Sequence, residues 1–285
     1  LSSAIRVEAN GPWDHRAALA HLAAHATAGI ERPGTGEGGH VRSFVIGGEA
    51  LAVEVELDAD GVAFDAGTGD RSLNEALAVR VRHWFDLDAD TAAIDEAFRG
   101  DELLGAQVID RPGIRVTRFA DGYEAAALTV MGQQVTLTAA RGFGARLVAG
   151  YGEPGPDGLK LFPRPEMVAT EDPETLRALL RTTGARARTL QAVSSLFAEG
   201  FRIEPETDPE EARRELLSVT GIGPWTADYL SIRALADPDR LPLADAVIRR
   251  ALEGLDESAT VAASERWSPW RSYASMRLWA GQSTN

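Results

Sequence analysis

Leu216-Leu-Ser-Val-Thr-Gly-Ile-Gly-Pro-Trp-Thr-Ala-Asp-Tyr229 and, eleven residues further on, Leu241-Pro-Leu-Ala-Asp-Ala-Val-Ile-Arg249 decide how this chain is read. Upstream, Asp208 can cap a helix that Pro209 opens; Glu211 completes a capping box, and Ala212, Leu216 and Val219 supply the apolar face. The helix must stop at Gly221. The turn Gly221-Ile222-Gly223 offers two positions tolerant of positive φ, and Pro224 then opens a second helix with Trp225, Tyr229, Ile232 and Leu235 or Ala236 on roughly one face. Unpaired backbone amides at that N-terminus, together with the positive end of the helix dipole, suit a phosphodiester, and glycine leaves its approach clear. Such a site reads the backbone of a nucleic acid and not its sequence.

Beyond the hairpin, Asp237-Pro238-Asp239 ends the second helix and residues 241–244 read as extended. Asp245 then stands where a third helix begins with Val247, Ile248, Ala251 and Leu252. Taken alone, an aspartate at such a boundary is an N-cap. Near the C-terminus, Glu265-Arg-Trp-Ser-Pro-Trp-Arg-Ser-Tyr-Ala274 opens a helical stripe of Trp267, Trp270, Tyr273, Met276 and Trp279. A stripe at that spacing is ordinarily core, and Trp267, Trp270 and Tyr273 are read so.

These three segments in this order resemble the helix-hairpin-helix DNA glycosylase superfamily. The Gly-Ile-Gly-x-Trp-Thr-Ala-x-Tyr form and the segment around Trp267 look like its AlkA-type 3-methyladenine branch. The resemblance covers residues 110–280 well and 1–109 weakly. It implies that Asp245 is catalytic, that Trp225, Tyr229 and Trp279 line the pocket for a flipped base, and that Gly221, Ile222, Gly223 and Thr226 bind the DNA backbone. Gly132-Gln133-Gln134 is similar to the family's Gly-Gln-x-Val-Ser turn, which makes Gln134 the wedge filling the gap in the minor groove; from spacing alone it is a surface glutamine. The resemblance also implies that the carbonyls of Leu217, Val219 and Ile222 hold a sodium or potassium ion, with no other cofactor required.

Composition limits the alternatives. At 285 residues and 44% hydrophobic, the chain can bury one large core or several smaller ones. It has no long apolar run and no signal-like N-terminus, so neither a membrane partner nor secretion is expected and the cytoplasm is the default. The resemblance implies a bacterial cytoplasm, close to the nucleoid. Without cysteine there is no disulfide, thiol nucleophile or iron–sulfur cluster. All five histidines (His15, His21, His25, His40, His83) precede residue 100, so a site built from the motifs is expected to lack imidazole. Lys160 is the single lysine among 28 arginines, and Trp225 stands where strand-cutting relatives carry a Schiff-base lysine.

The net charge of −14 runs against phosphate binding, but residues 1–100 carry −9 of it. A local set drawn from Arg141, Arg249, Arg250 and Arg271 is expected to serve instead.

In chain order, residues 1–96 read as an α+β unit and residues 97–285 as a helical region with its hairpin at about 209–236, an α+β fold overall. Ile5–Ala9 reads as a strand and Trp13–Ala26 as a helix. Three strands at Val41–Ile46, Ala50–Leu57 and Val62–Asp65 are joined at Gly47-Gly48 and Asp60-Gly61, and a helix over Ser72–Phe85 covers one face. No chemistry is assigned to this unit. Asp86-Leu-Asp88-Ala-Asp90 lacks the glycine and closing glutamate of a calcium loop and reads as solvated acids. Gly142-Phe-Gly144 follows no strand and is no dinucleotide site. From Asp121 onward the pattern is helical.

The expected function is that of a monofunctional DNA glycosylase acting as a monomer on duplex DNA with damaged bases, releasing alkylated purines of the 3-methyladenine and 7-methylguanine type. An electron-rich aromatic lining suits a cationic base. A base that already carries positive charge needs no protonation to leave, which fits a site without histidine. The rival readings are a non-catalytic helix-hairpin-helix module, which leaves Asp245 and the aromatic residues without a role, and a glycosylase with lyase activity, which Trp225 disfavours. The chain begins at Leu1 and not at a methionine, as a piece of a longer polypeptide would, for example a fusion to an alkyl-transfer regulator.

Overall fold

A computed structural model describes residues 4–36, 38–253 and 255–282, the side chains of residues 257 and 282 excepted. Strand β1 (Ile5–Glu8), helix α1 (His15–His25), strands β2 (Glu31–Pro33), β3 (Gly39–Ile46), β4 (Glu49–Asp58) and β5 (Gly61–Asp65), and helix α2 (Arg71–Phe85) follow in order. The strands form one antiparallel sheet in the order β1-β5-β4-β3-β2, with Ile5 opposite Phe64 and Val41 opposite Glu54. Gly47 and Gly48, with φ of 59° and 85°, make the two-residue turn between β3 and β4 that only such residues tolerate. Alternation along β4 sends Leu51, Val53, Val55 and Leu57 inward. They meet Leu77, Val81 and Trp84 of α2 and Leu22 of α1.

Helices α3 (Thr91–Phe98) and α4 (Gly105–Asp110) come next, then α5 (Gly122–Gly132), α6 (Leu137–Tyr151), α7 (Pro165–Ala169), α8 (Pro173–Leu180) and α9 (Gly184–Ala198). The hairpin pair α10 (Pro209–Ser218) and α11 (Pro224–Arg233) precedes α12 (Ala246–Ala251), α13 (Glu257–Arg266) and α14 (Arg271–Gln282). The helices build two cores. One gathers α5 to α11 around Ala126, Val130, Leu190 and Leu230. The other joins α3 and α4 to the last three helices through Ile94, Phe98, Ile248, Trp267 and Leu278. Helix α11 serves both, through Leu230 in the first and Ile232 in the second.

Buried arginines stitch the layers together. Arg42 of β3 pairs with Glu124 of α5 at 2.6 Å, Arg118 pairs with Asp86 at 2.6 Å, and the fully buried Arg277 of α14 pairs with Asp95 of α3. Burial pushes the Glu124 carboxyl up to about 7, against the pull of the Arg42 guanidinium. Asp86 corrects the reading of solvated acids: it closes α2 in the left-handed region (φ 57°) and is buried, accepting from the Val116 amide at 3.2 Å. Asp88 is exposed on Arg82, and Asp90 caps α3.

The element bounds agree with the sequence reading to within two residues for α1, α2 and the four strands it found. Helix α11, however, ends at Arg233, short of the Leu235 or Ala236 expected on its face: the backbone leaves the helix at Ala234 (φ −136°) and Ala236 is left-handed (φ 57°). The three-residue β2 escaped it, having no room for alternation, as did α3 and α4. Residues 241–244 form a tight turn and not an extended run: the Leu243 amide donates to Leu241 O (3.0 Å) and the Asp245 amide to Pro242 O (2.8 Å).

Candidate active site

The hairpin opens on Asp208, whose side chain accepts from the Glu211 amide at 2.7 Å, and turns at Gly221 with φ of 95°. A β-carbon on Gly221 would sit 2.0 Å from Thr189 Oγ1, so the position is closed to other residues twice over. Gly223 keeps an ordinary φ of −100° and is glycine for another reason: a β-carbon there would meet nothing within 4 Å, so this is the open side of the turn. The helical ladder begins with the Ala227 amide donating to Gly223 O (3.1 Å), which leaves the amides of Gly223, Trp225 and Thr226 ahead of it. Ile222 is buried and anchors the turn in the core. Thr226 is buried too, and its hydroxyl accepts from Gln133 Nε2 at 3.0 Å. It can therefore offer a phosphate its amide and not its side chain.

Asp245 begins α12 as its N-cap, Oδ1 accepting from the amides of Val247 (2.9 Å) and Ile248 (3.1 Å). Two tryptophans reach the same carboxylate: Trp225 Nε1 donates to Oδ2 at 2.8 Å, and Trp279 Nε1 donates to Oδ1 at 3.1 Å. A plain cap needs neither. Asp245 is only 9% exposed, and it lines a cleft of about 530 Å³ that Tyr229 and Trp279 also line. The Tyr229 ring stacks on Trp225 (centroids 5.4 Å apart, planes at 20°) and inclines to Trp279 (5.7 Å, 51°). Tyr229 also faces an adjoining cavity of about 410 Å³, with Leu128, Gln134 and Arg141 on its walls. Trp225, expected in the base pocket, lines this second cavity and not the first, which it reaches only through its hydrogen bond to Asp245. Tyr229 thus divides the proposed base pocket from the space beside the proposed wedge.

Gln134 is exposed at the turn between α5 and α6, in the left-handed region with φ of 53°. Its neighbour Gln133, to which the sequence reading gave no role, ties this turn to the hairpin: Nε2 donates to Gly221 O (3.1 Å) as well as to Thr226, and its carbonyl accepts from Arg186 at 2.5 Å. Of the arginines expected to meet phosphate, Arg141, Arg249 and Arg250 are exposed and make no ion pair among the described residues. Arg271 is committed elsewhere, holding Asp239 with Nε and Nη2 at 2.7 Å each.

The fourth wall corrects the expectation of a site without histidine. Helix α1 of the sheet unit brings His21 and His25 to the walls of the same cleft as Asp245. Burial, reinforced by Arg233, holds the His21 imidazole well below its ordinary range, and burial lowers His25 as well, so both are neutral near pH 7. Arg233, at the end of α11, donates to His21 Nε2 at 2.5 Å and lies 5.8 Å from the centre of the Tyr229 ring. The lining is therefore not simply electron-rich, since a guanidinium already addresses one of its rings. No spacing within the chain signals this contact, because its partners are 212 residues apart.

Among the described residues, no group of three or more histidines, aspartates or glutamates is placed to hold a metal ion, and no helix is long and apolar enough to cross a membrane.

Residues 4–121 match the AlkA N-terminal domain, and residues 127–267 match the HhH-GPD superfamily of base excision DNA repair proteins. A probable bifunctional transcriptional activator/DNA repair enzyme AlkA of Mycobacterium tuberculosis is 36% identical, over 96% of this chain and 56% of that protein. DNA-3-methyladenine glycosylase 2 of Escherichia coli is 28% identical over 94% of both. The 3-methyladenine DNA-glycosylase structure from Archaeoglobus fulgidus superposes with a TM-score of 0.80 at 22% identity, covering 97% of each chain. The chain spans little more than half the length of the mycobacterial relative. It belongs to the HhH-GPD superfamily, with an AlkA-type N-terminal domain.

Proposed function

We propose that this superfamily member is a monofunctional DNA glycosylase, acting as a monomer on duplex DNA in the bacterial cytoplasm and hydrolysing the N-glycosidic bond of damaged purines. The observation that carries the reading is the Asp245 carboxylate, gripped by two indole N–H groups beside the aromatic floor of a 530 Å³ cleft and preceded by a backbone-reading hairpin. The cleft is of ordinary ligand-pocket size and far larger than a cap requires.

A nucleotide stacked in a duplex cannot reach this cleft. It must be flipped out, at a cost of a few kcal/mol that is smaller for a damaged pair. The amides at the start of α11 hold the phosphodiester, and Gln134 enters the vacated space, its turn braced on the hairpin through Gln133. The flipped base lies against Tyr229 and Trp279. As it departs, cationic character builds on the sugar, and Asp245 balances that charge from a fixed position and orients the attacking water. The indoles fix the carboxylate, so little reorganisation accompanies charge development. His21 and His25, both neutral, contribute no acid. Lys160 donates to the carbonyls of Ala149 (2.9 Å) and Val148 (3.4 Å) and lines neither cavity, so no amine stands ready for a covalent adduct. The carbonyls of Leu217, Val219 and Ile222 at the hairpin are assigned a sodium or potassium ion, which would stiffen the turn toward phosphate.

The test is incubation with methylated duplex DNA. Free 3-methyladenine and 7-methylguanine should appear, the strand should stay intact, and borohydride should trap nothing. A trapped adduct would make the enzyme a lyase, and binding without base release would make the chain a DNA-binding module.

A further inference from the structure

Five arginines are buried among the described residues: Arg42, Arg115, Arg118, Arg233 and Arg277. Four of them meet oxygen acceptors. Arg42 reaches Glu31 and Glu124; Arg115 reaches the carbonyls of Asn10, Asp86 and Ala89; Arg118 reaches Asp86 and the His83 carbonyl; and Arg277 reaches Asp95 and the Arg111 carbonyl. Arg233 meets none. Nη2 donates to the ring nitrogen of His21, Nε has no partner, and the guanidinium carbon lies within 6 Å of the Tyr229 and Phe119 rings. Asp245, in the same cleft, forms no ion pair with it among the described residues.

A buried guanidinium without an oxygen acceptor is a costly arrangement unless something else supplies one. Arg233 lines the cleft that holds Asp245 and Trp279; Arg115 lines it too, but its guanidinium is already taken up by the carbonyls of Asn10, Asp86 and Ala89. His21, neutral through burial and the nearness of Arg233, orients the guanidinium without cancelling its charge. The position thus presents fixed donors, and only donors, to whatever enters.

We propose that Arg233 is a specificity-determining residue that donates to a carbonyl oxygen of the flipped base, so that the site favours 6-oxopurines over 6-aminopurines. The proposal rests on the glycosylase reading. A 6-oxopurine such as hypoxanthine shows acceptors at O6 and N7, whereas the amino group of an adenine-type base is itself a donor. Charge works in the same direction: hypoxanthine is neutral, while 3-methyladenine brings a positive charge toward a guanidinium. A pocket built around a directed hydrogen bond separates bases that differ in one polar group far better than apolar contact does.

The test compares single-turnover release of hypoxanthine and 3-methyladenine, from duplexes of the same flanking sequence, by the wild type and by Arg233→Met. The ratio of hypoxanthine to 3-methyladenine release should fall by about tenfold or more in the variant, the scale of one lost directed hydrogen bond. An unchanged ratio, with both rates falling together, would overturn the proposal and leave Arg233 a structural residue. If the wild type releases neither base, the glycosylase reading fails instead. A measurement on the wild type alone guards against a variant that does not fold: free hypoxanthine should bind at about tenfold lower concentration than free adenine. Equal binding of the two would overturn the proposal.

Discussion

The two sides of the cleft were assembled in different ways. The α11–α12–α14 side is local: Asp245 takes its indole donors from 20 and 34 residues away, all on one C-terminal stretch that shares a core. The α1 side is remote, His21 meeting Arg233 across 212 residues and across the boundary between sheet and helices. The local side holds the group that faces developing charge, with hydrogen bonds that need no ligand to complete them. The remote contact, His21 of α1 on Arg233 at the end of α11, leaves a cation that no protein oxygen satisfies. A wall complete in itself suits a reaction common to all substrates, and a wall that the ligand must complete suits discrimination among them.

The largest effect should come from the local side. Asp245→Asn should lower excision of every lesion together by roughly 10² or more while changing affinity for abasic-site DNA much less, as expected when a transition-state charge partner is lost. Asparagine caps a helix as well as aspartate does, so excision that survives the change would reduce Asp245 to a cap. Next in size, Trp225→Phe and Trp279→Phe each keep a ring and remove one donor to a charged group. That interaction is worth about 1.5–3 kcal/mol, so single-turnover release should drop about tenfold or more. Unchanged rates would mean that the indoles only pack.

Smaller effects should mark the contact with DNA. Gln134→Ala should slow excision from duplex by a few-fold and from single strands less, since only a duplex has a gap to fill; equal slowing on both would return Gln134 to the ordinary surface. Smallest of all, Thr226→Val removes the hydroxyl that accepts from Gln133 but keeps the amide, and should cost about 1 kcal/mol in thermal melting with little change in DNA affinity. A large loss of affinity would show that the hydroxyl itself meets phosphate.

The same contrast explains what the sequence disclosed. The caps at Asp208 and Asp121, the left-handed turn at Gly221 and the start of α12 at Asp245 are local events, each written within four or five residues. Alternation on β4 and helical periodicity in α2 likewise announce their own partners. Nothing local distinguishes Arg233 from a solvated end-of-helix arginine, or His21 from any residue on an alanine-rich helix. Gln133 and Gln134 are adjacent and alike in sequence, and only the backbone at φ 53° turns one toward solvent and the other to the hairpin. Asp86 read as solvated because its partner Arg118 arrives from 32 residues on. The tight turn at 241–244 was missed because Leu-Pro-Leu-Ala carries no turn residue beyond its one proline.

The central claim is that Asp245 faces positive charge on the sugar as the base departs. The most direct measurement compares the affinity of the wild type and of Asp245→Asn for two duplexes, one with a neutral tetrahydrofuran abasic site and one with a cationic pyrrolidine in its place. The wild type should prefer the cationic site by about tenfold or more, as a charged pair in a low-dielectric cleft requires, and the variant should lose that preference. Equal affinity of the wild type for both sites, or a preference that persists in Asp245→Asn, would contradict the account.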